Sequence, residues 1–247
     1  MRVKITIEYD GSNYVGWQRQ TNGISIQEEI ENCLEKLFDE KIQIFVSGRT
    51  DAGVHAYGQV AHFDVDKLKL EVRKISLALN YFLKESFNNI VIIKSEKISD
   101  SFDARFSVKK KTYLYKIINR STPSVLLEKR AWFIPKKLDL DKMRNSSEIL
   151  IGKYDFNAFR SSHCQAKNSF RSINDIKIKK KNNLIEIRVV GKSFLHNQVR
   201  IIIGTLINVG IEKWDKDNVK EILNSKKREN AGPTAPPHGL YLEKINY

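Results

Sequence analysis

Apolar and polar residues alternate through Val3, Ile5, Ile7 and Tyr9, the period of a half-buried strand. Asp10-Gly11-Ser12-Asn13 then supplies turn chemistry. The period changes to 3.6 over Ile26, Ile30, Cys33, Leu34, Leu37 and Phe38, which predicts a helix. Ser25 just before it, with Glu28 three positions on, has the form of a capping box. Short strands are predicted at 42–46 and 59–65. Ile75, Leu79, Phe82 and Leu83 predict a second helix, and 90–93 another strand.

After residue 105 the pattern begins again. Tyr113, Tyr115 and Ile117 share one strand face, 138–150 reads as a helix and 173–178 as extended. Asn182-Asn183 marks a hairpin, because Asn tolerates the positive φ of tight turns, and Ile185, Ile187 and Val189 form the returning strand. A long helix over 194–210, a shorter one over 216–223 and a strand at 240–245 close the chain. No short-period repeat is present. The pattern predicts two similar α+β halves, 1–105 and 106–247, each a sheet covered by helices on one face.

Composition sharpens this. Of 247 residues, 41% are hydrophobic, enough for a core and against wholesale disorder. The formal charge is +14 and very uneven. Residues 1–105 hold 14 basic and 16 acidic side chains, whereas 106–247 hold 29 and 13. A generally Lys-rich proteome accounts for the total but less well for the asymmetry, which points to a polyanionic partner, nucleic acid or an anionic membrane surface. Cys33 and Cys164 are the only cysteines, so one chain can build neither a disulfide framework nor a multi-Cys zinc site. The first residues lack a signal peptide's apolar core. The apolar-rich stretch 201–211 is interrupted by Gly204, Thr205 and Asn208 and falls short of the roughly 20 residues of a spanning helix. These features read as a soluble protein of a reducing compartment, the cytoplasm, with no membrane partner.

No triphosphate-binding Gly-x-x-x-x-Gly-Lys-Ser/Thr loop and no Gly-x-Gly-x-x-Gly motif occurs. His55, His62, His163, His196 and His238 show no metal-ligand spacing. An enzyme of this sequence is expected to need no metal, nucleotide or redox cofactor. Ser47 to Ala56 stands out: two glycines bracket Arg49 and Asp51, which project to one side if extended, so a cation can meet a phosphate while the carboxylate faces the adjoining sugar or base. An Asx turn with an incidental arginine is the plainer alternative. Arg200 lies among apolar residues on the predicted long helix, in line with His196 and Gly204 at four-residue spacing. It needs a partner, either in a functional site or in a structural ion pair. Lys109-Lys110-Lys111 runs into Tyr113 and Tyr115, a cation–aromatic series suited to phosphates and bases, with a core-packing tyrosine pair as the alternative. Lys177, Lys179, Lys180 and Lys181 at the hairpin, and Lys226-Lys227-Arg228, add further patches whose role the sequence leaves open.

These motifs carry a resemblance. Gly48 to Ala56, GRTDAGVHA, is similar to the signature of the TruA family of tRNA pseudouridine synthases. Further blocks follow in order over almost the whole chain. They are Ile7-Glu8-Tyr9-Asp10-Gly11 with Gly16-Trp17-Gln18-Arg19-Gln20, Phe102 to Ser107 leading to Lys111-Thr112-Tyr113-Leu114-Tyr115, Asp155-Phe156 with Phe159-Arg160, Phe194 to Arg200, Ala231 to Pro237, and Gly239 to Leu242. Phe170 departs from the pattern, and the lysine-rich hairpin is unusually basic. The resemblance implies the pseudouridine synthase fold, two α+β halves with antiparallel or mixed sheets flanked by helices and a basic central cleft. It implies cofactor-free conversion of uridine to pseudouridine at positions 38, 39 and 40 of the tRNA anticodon arm by a homodimer. Asp51 would be the catalytic carboxylate, Tyr113 would stack on the target base and Arg200 would pair with Asp51. Arg49 would help hold the flipped nucleotide or fill the space it vacates; beside it, Lys109, Lys110, Lys111, His55 and His196 are the further candidates for binding the RNA. A paralogue acting on another RNA such as ribosomal RNA, or a non-catalytic RNA-binding protein, is the alternative.

Overall fold

Val3, Ile5, Ile7 and Tyr9 line one face of β1 (Arg2–Tyr9) and all four are buried, as the alternation requires. The computed structural model describes residues 1–68, 70–85, 89–162 and 164–247; His163 lies outside the described residues. After β1 come α1 (Ile26–Phe38), β2 (Phe45–Val46), β3 (His55–Asp64), α2 (Val72–Glu85) and β4 (Ile90–Ile98). β1 is central and antiparallel to both β3 and β4, with Val3 opposite Phe63 and Ile5 opposite Ala61; β2 pairs with β3. α1 buries Ile26, Ile30, Cys33, Leu34 and Phe38, and α2 buries Ile75, Leu79 and Leu83. Each fully buried Ile or Leu contributes about 1.5–3 kcal/mol.

Local chemistry sets the ends of these elements. Ser25 Oγ accepts the Glu28 N–H at 3.2 Å, so the N-cap half of the predicted capping box forms. Asp39 ends α1 in the left-handed region at φ 61°, its N–H on the Glu35 carbonyl. Asn80 of α2 takes both backbone groups of Ile92, donating to its carbonyl at 3.0 Å and accepting its N–H at 2.7 Å. A side-chain amide thus stands in for a neighbouring strand along β4.

The second series is β5 (Lys110–Asn119), β6 (Trp132–Ile134), α3 (Leu140–Ser147), β7 (Gly152–Asp155), β8 (Phe170–Lys181), β9 (Leu184–Gly191), α4 (Gln198–Gly210) and α5 (Lys216–Ser225). β5, β9, β8 and β7 pair antiparallel in that order, and β6 runs parallel to β5. The hairpin turns at Asn182, φ 54°, as its chemistry predicts. α4 is buried nearly all round, with Ile201, Ile202, Ile203, Leu206 and Val209 wholly inaccessible, which makes it the core helix of this unit. It begins four residues later than the predicted 194. Asn197 adopts φ 62°, a conformation that Asn tolerates and that breaks helical continuity. His196 therefore stands off the helical line of Arg200 and Gly204, a correction to the expected alignment.

β10 (Leu240–Asn246) then joins the first series, parallel to β3 with Tyr241 opposite His55. The chain forms two compact units, residues 1–109 with 241–247, and residues 110–240. The expected halves differ from these units chiefly in this last strand, whose non-local pairing no local pattern reveals.

Gly204 is where α4 accepts a second backbone. A Cβ there would lie 1.8 Å from the Pro233 carbonyl oxygen. Gly204→Ala is expected to cost about 1–3 kcal/mol by overpacking, read as a lowered urea midpoint; an unchanged midpoint would contradict this close crossing.

Candidate active site

Ser47 to His55 leads from β2 into β3, and its path is fixed by a buried side chain further along β3. Gln59 is wholly inaccessible, opposite Ile7 of β1. Its Nε2 donates to the Gly48 carbonyl at 2.9 Å and to the Tyr9 hydroxyl at 3.4 Å, while its Oε1 accepts the Ser47 hydroxyl at 2.7 Å. Tyr9 and Thr50 join their hydroxyls at 2.7 Å. Burial pushes the Tyr9 phenol up to about 12, with its bonds to Thr50 and Gln59 opposing the shift, so it stays neutral across ordinary pH. The loop is thereby gripped at residues 47, 48 and 50, immediately before Asp51.

The segment after β1 holds the other side. Trp17 donates its backbone N–H to the Thr50 carbonyl at 3.0 Å, and Gly16 forms an isolated bridge with Asp51. Gly16 sits at φ +107°, and a Cβ there would lie 2.7 Å from the Thr50 carbonyl oxygen, so both conformation and proximity call for glycine. The Asp51 carbonyl accepts the Val54 N–H at 3.2 Å, closing the turn. Asp51 is half-buried and Arg49 exposed. His55, only 2% exposed, stacks on Tyr241 at 4.7 Å and accepts the Gly11 N–H on Nδ1 at 3.1 Å. Asp10 Oδ1 lies 3.0 Å from the same nitrogen. Nδ1 cannot serve both at once: it accepts from Gly11 when it carries no hydrogen and donates to Asp10 when it carries one.

The second unit carries the remaining candidates except Lys109, which is exposed in the first unit with its N–H on the Asn246 carbonyl at 2.9 Å. Lys110 is exposed, whereas Lys111 is 9% exposed, opposite Gly191. The two tyrosines part company. Tyr115 is wholly buried, donates to the Pro236 carbonyl at 2.8 Å and has its phenol driven far above the ordinary range by burial; it is a core residue. Tyr113 is half-buried and meets the Phe194 ring edge-on at 5.2 Å.

Arg200 is half-buried on the first turns of α4. Its Nε donates to the Ala235 carbonyl at 2.7 Å and its Nη1 to Asn197 Oδ1 at 2.9 Å, while its own carbonyl accepts the Ala235 N–H at 3.1 Å. Both of these acceptors are neutral oxygens, and together they orient the guanidinium. His196 is exposed, and its carbonyl accepts the Ser161 N–H. Among the described residues, no group of three or more His, Cys, Asp or Glu side chains is arranged to hold a metal ion.

Arg49, Asp51 and His55 therefore share one clamped loop, whereas Tyr113, His196 and Arg200 belong to the other unit. Sequence reasoning missed Tyr9, Gln59, Asn197 and Ala235 as supports. The signal for Gln59 was present: an amide at a strand position in register with buried apolar residues must satisfy itself internally.

The comparisons with known proteins bear on this loop. The sequence profile of a family described as tRNA pseudouridine synthase matches residues 5–107 and 147–247, which include Arg49, Asp51, His55, His196 and Arg200 but not Tyr113. The protein called tRNA pseudouridine synthase A from Wolbachia pipientis wMel is 49% identical over 248 residues, all of both chains. Its namesake from Ehrlichia chaffeensis is 48% identical over the full length of both. That from Bartonella henselae is 44% identical over all of this chain and 99% of its own.

Gln59→Met keeps the side chain's bulk and removes its hydrogen bonds. The variant is expected to lose about 1–3 kcal/mol, the cost of stranding buried polar partners. Hydrogen exchange should quicken at the amides of Ser47 and Val54 by more than the global loss accounts for. Exchange there no faster than in β1 would mean the amide does not hold the loop.

Proposed function

Because this chain belongs to the tRNA pseudouridine synthase family, we propose that it converts uridine to pseudouridine in the tRNA anticodon stem-loop, at positions 38, 39 and 40, with Asp51 as the acting carboxylate. The observation that carries this reading is the loop itself. Its GRTDAGVHA sequence lies within the matched residues, and it is held at Gly48 and Thr50 just before the acid and bridged to Gly16 at Asp51 itself.

The reaction breaks the N1–C1′ glycosidic bond, turns the freed uracil and joins C5 to C1′. Nothing is oxidised and nothing is hydrolysed, so side chains suffice. The base must leave its stack, at a cost of a few kcal/mol. Asp51 works as the carboxylate, either by covalent attack or by removing a sugar proton as uracil departs. Arg200 pairs with it, and an adjacent cation keeps an acid ionised. Its bonds to Ala235 and Asn197 support that role because they orient the guanidinium and add no competing negative charge. The half-buried ring of Tyr113, steadied by Phe194, stacks on the displaced base. Arg49, exposed beside the acid, holds the flipped nucleotide or fills the space it leaves, and exposed Lys109, Lys110 and His196 take phosphates. The burial of His55 and Lys111 favours positioning roles over direct contact with RNA.

We further propose that the enzyme works as a homodimer in the cytoplasm. No helix among the described residues is long and apolar enough to cross a membrane. Gel filtration with light scattering is expected to give twice the 28.6 kDa chain mass.

In tRNA from cells lacking this gene and any redundant enzyme, positions 38, 39 and 40 should retain uridine; full pseudouridine there would remove the assigned role. Asp51→Asn should abolish turnover while tRNA affinity stays within a few fold, and near-normal turnover would put the acting group elsewhere. Arg200→Met should lose activity, with its melting temperature recorded alongside; an unaltered rate would contradict the pairing with Asp51.

A further inference from the structure

The β8–β9 hairpin carries cations that the proposed chemistry leaves unused. Ile176 and Ile178 of β8 are buried on one face, so Lys177, Lys179 and Lys181 alternate to the other, and all three are exposed. Lys177 lies directly opposite Arg188 of β9. Glu186 of β9 is flanked by Lys116 of β5 on one side and Lys179 of β8 on the other. Lys180 adds a further exposed cation beside the turn. From 171 to 188 there are six basic and two acidic residues. Both acids already have partners, Asp175 with Lys177 at 3.0 Å and Glu186 with Arg188 at 2.9 Å.

Folding alone does not favour this layout. Like charges directly opposed weaken a ladder, and here Lys177 faces Arg188 across it. Three lysines on one face, spaced about 7 Å apart at two residues per step, make a linear cationic row. Such a row complements a chain of phosphates better than a compact anion.

The row is also distant from the proposed base-stacking residue. Lys181 pairs with Leu184, and Leu184 pairs with Ile118, five residues beyond Tyr113 on β5. At about 3.4 Å per residue the strand separates the hairpin end from Tyr113 by roughly 17 Å. Lys177, Lys179 and Lys181 also lie on the opposite face of β8 from Ile176, which pairs with Val189, the partner of Tyr113.

We propose that this hairpin face binds the phosphate backbone of tRNA beyond the anticodon stem-loop, so that the protein holds whole tRNA more tightly than the isolated arm. The inference rests on the proposed function only in taking tRNA as the polyanion. Equilibrium binding tests it separately from catalysis.

The experiment compares the wild-type protein with Lys177→Gln/Lys179→Gln/Lys181→Gln on full-length tRNA and on a synthetic anticodon stem-loop. For full-length tRNA the variant is expected to bind about tenfold more weakly near 150 mM salt, with the slope of log K against log salt reduced by about 2. Binding to the stem-loop should change less than about twofold, and kcat at saturating tRNA should stay unchanged. The same three positions changed to arginine should restore full-length binding, which separates lost charge from lost structure. Unchanged affinity and slope on full-length tRNA would overturn the proposal, as would equal losses on both RNAs. Binding of phosphatidylserine vesicles that the variant loses, with tRNA affinity intact, would assign the face to a membrane and overturn it as well. A wild-type protein that binds tRNA yet makes no pseudouridine would sink the functional reading and leave this binding comparison standing.

Discussion

One buried amide sets the geometry on which the candidate site depends. Gln59 has no access to water, so each of its polar atoms must find a partner inside the protein or cost about 1–3 kcal/mol. It finds them in the Ser47 hydroxyl, the Gly48 carbonyl and the Tyr9 hydroxyl. Because Tyr9 is itself joined to Thr50, three of the four residues before Asp51 are tied to the rigid β1–β3 pair. A low-dielectric interior makes such a network stronger when complete and costlier when broken. Strand and loop are therefore energetically coupled, and the acid inherits the rigidity of the sheet.

The second unit solves a related problem differently. The Arg200 guanidinium is oriented by carbonyl oxygens, those of Ala235 and of the Asn197 side chain. The 231–235 segment can supply the Ala235 carbonyl because Gly204 lets its backbone run against α4. Asn197, in turn, is available because it stands in the left-handed region just before the helix instead of inside it. The helix start that departs from the simple periodic expectation is thus the feature that equips the arginine.

An isomerisation with no net redox or hydrolytic change asks little of a protein in reactive groups and much in placement. Within each unit the candidate residues are held largely by supporting bonds from neutral groups. Charge is used more generously where precision matters less, along the lysine-bearing strand β8, since phosphate attraction tolerates variation in distance and sequence.

Much of this could be read along the chain. The alternation in β1, the Ser25 cap, the amphipathic faces of α1 and α2 and the Asn182 turn all arise from interactions within a few residues, so local periodicity and turn chemistry reported them faithfully. The motif around Asp51, the uneven charge and the resemblance they carried also needed no coordinates. Tertiary structure decided what depends on distant segments meeting. It separated Tyr115 as a core residue from the half-buried Tyr113, moved His196 off the helix, buried His55 beneath Tyr241 and returned β10 to the first unit. It also made supports of Gln59 and Ala235, whose partners lie 11 and 35 residues away. Periodicity reports which face of an element is apolar; only packing decides which polar groups end up beside one another without water, and those contacts hold the site in shape.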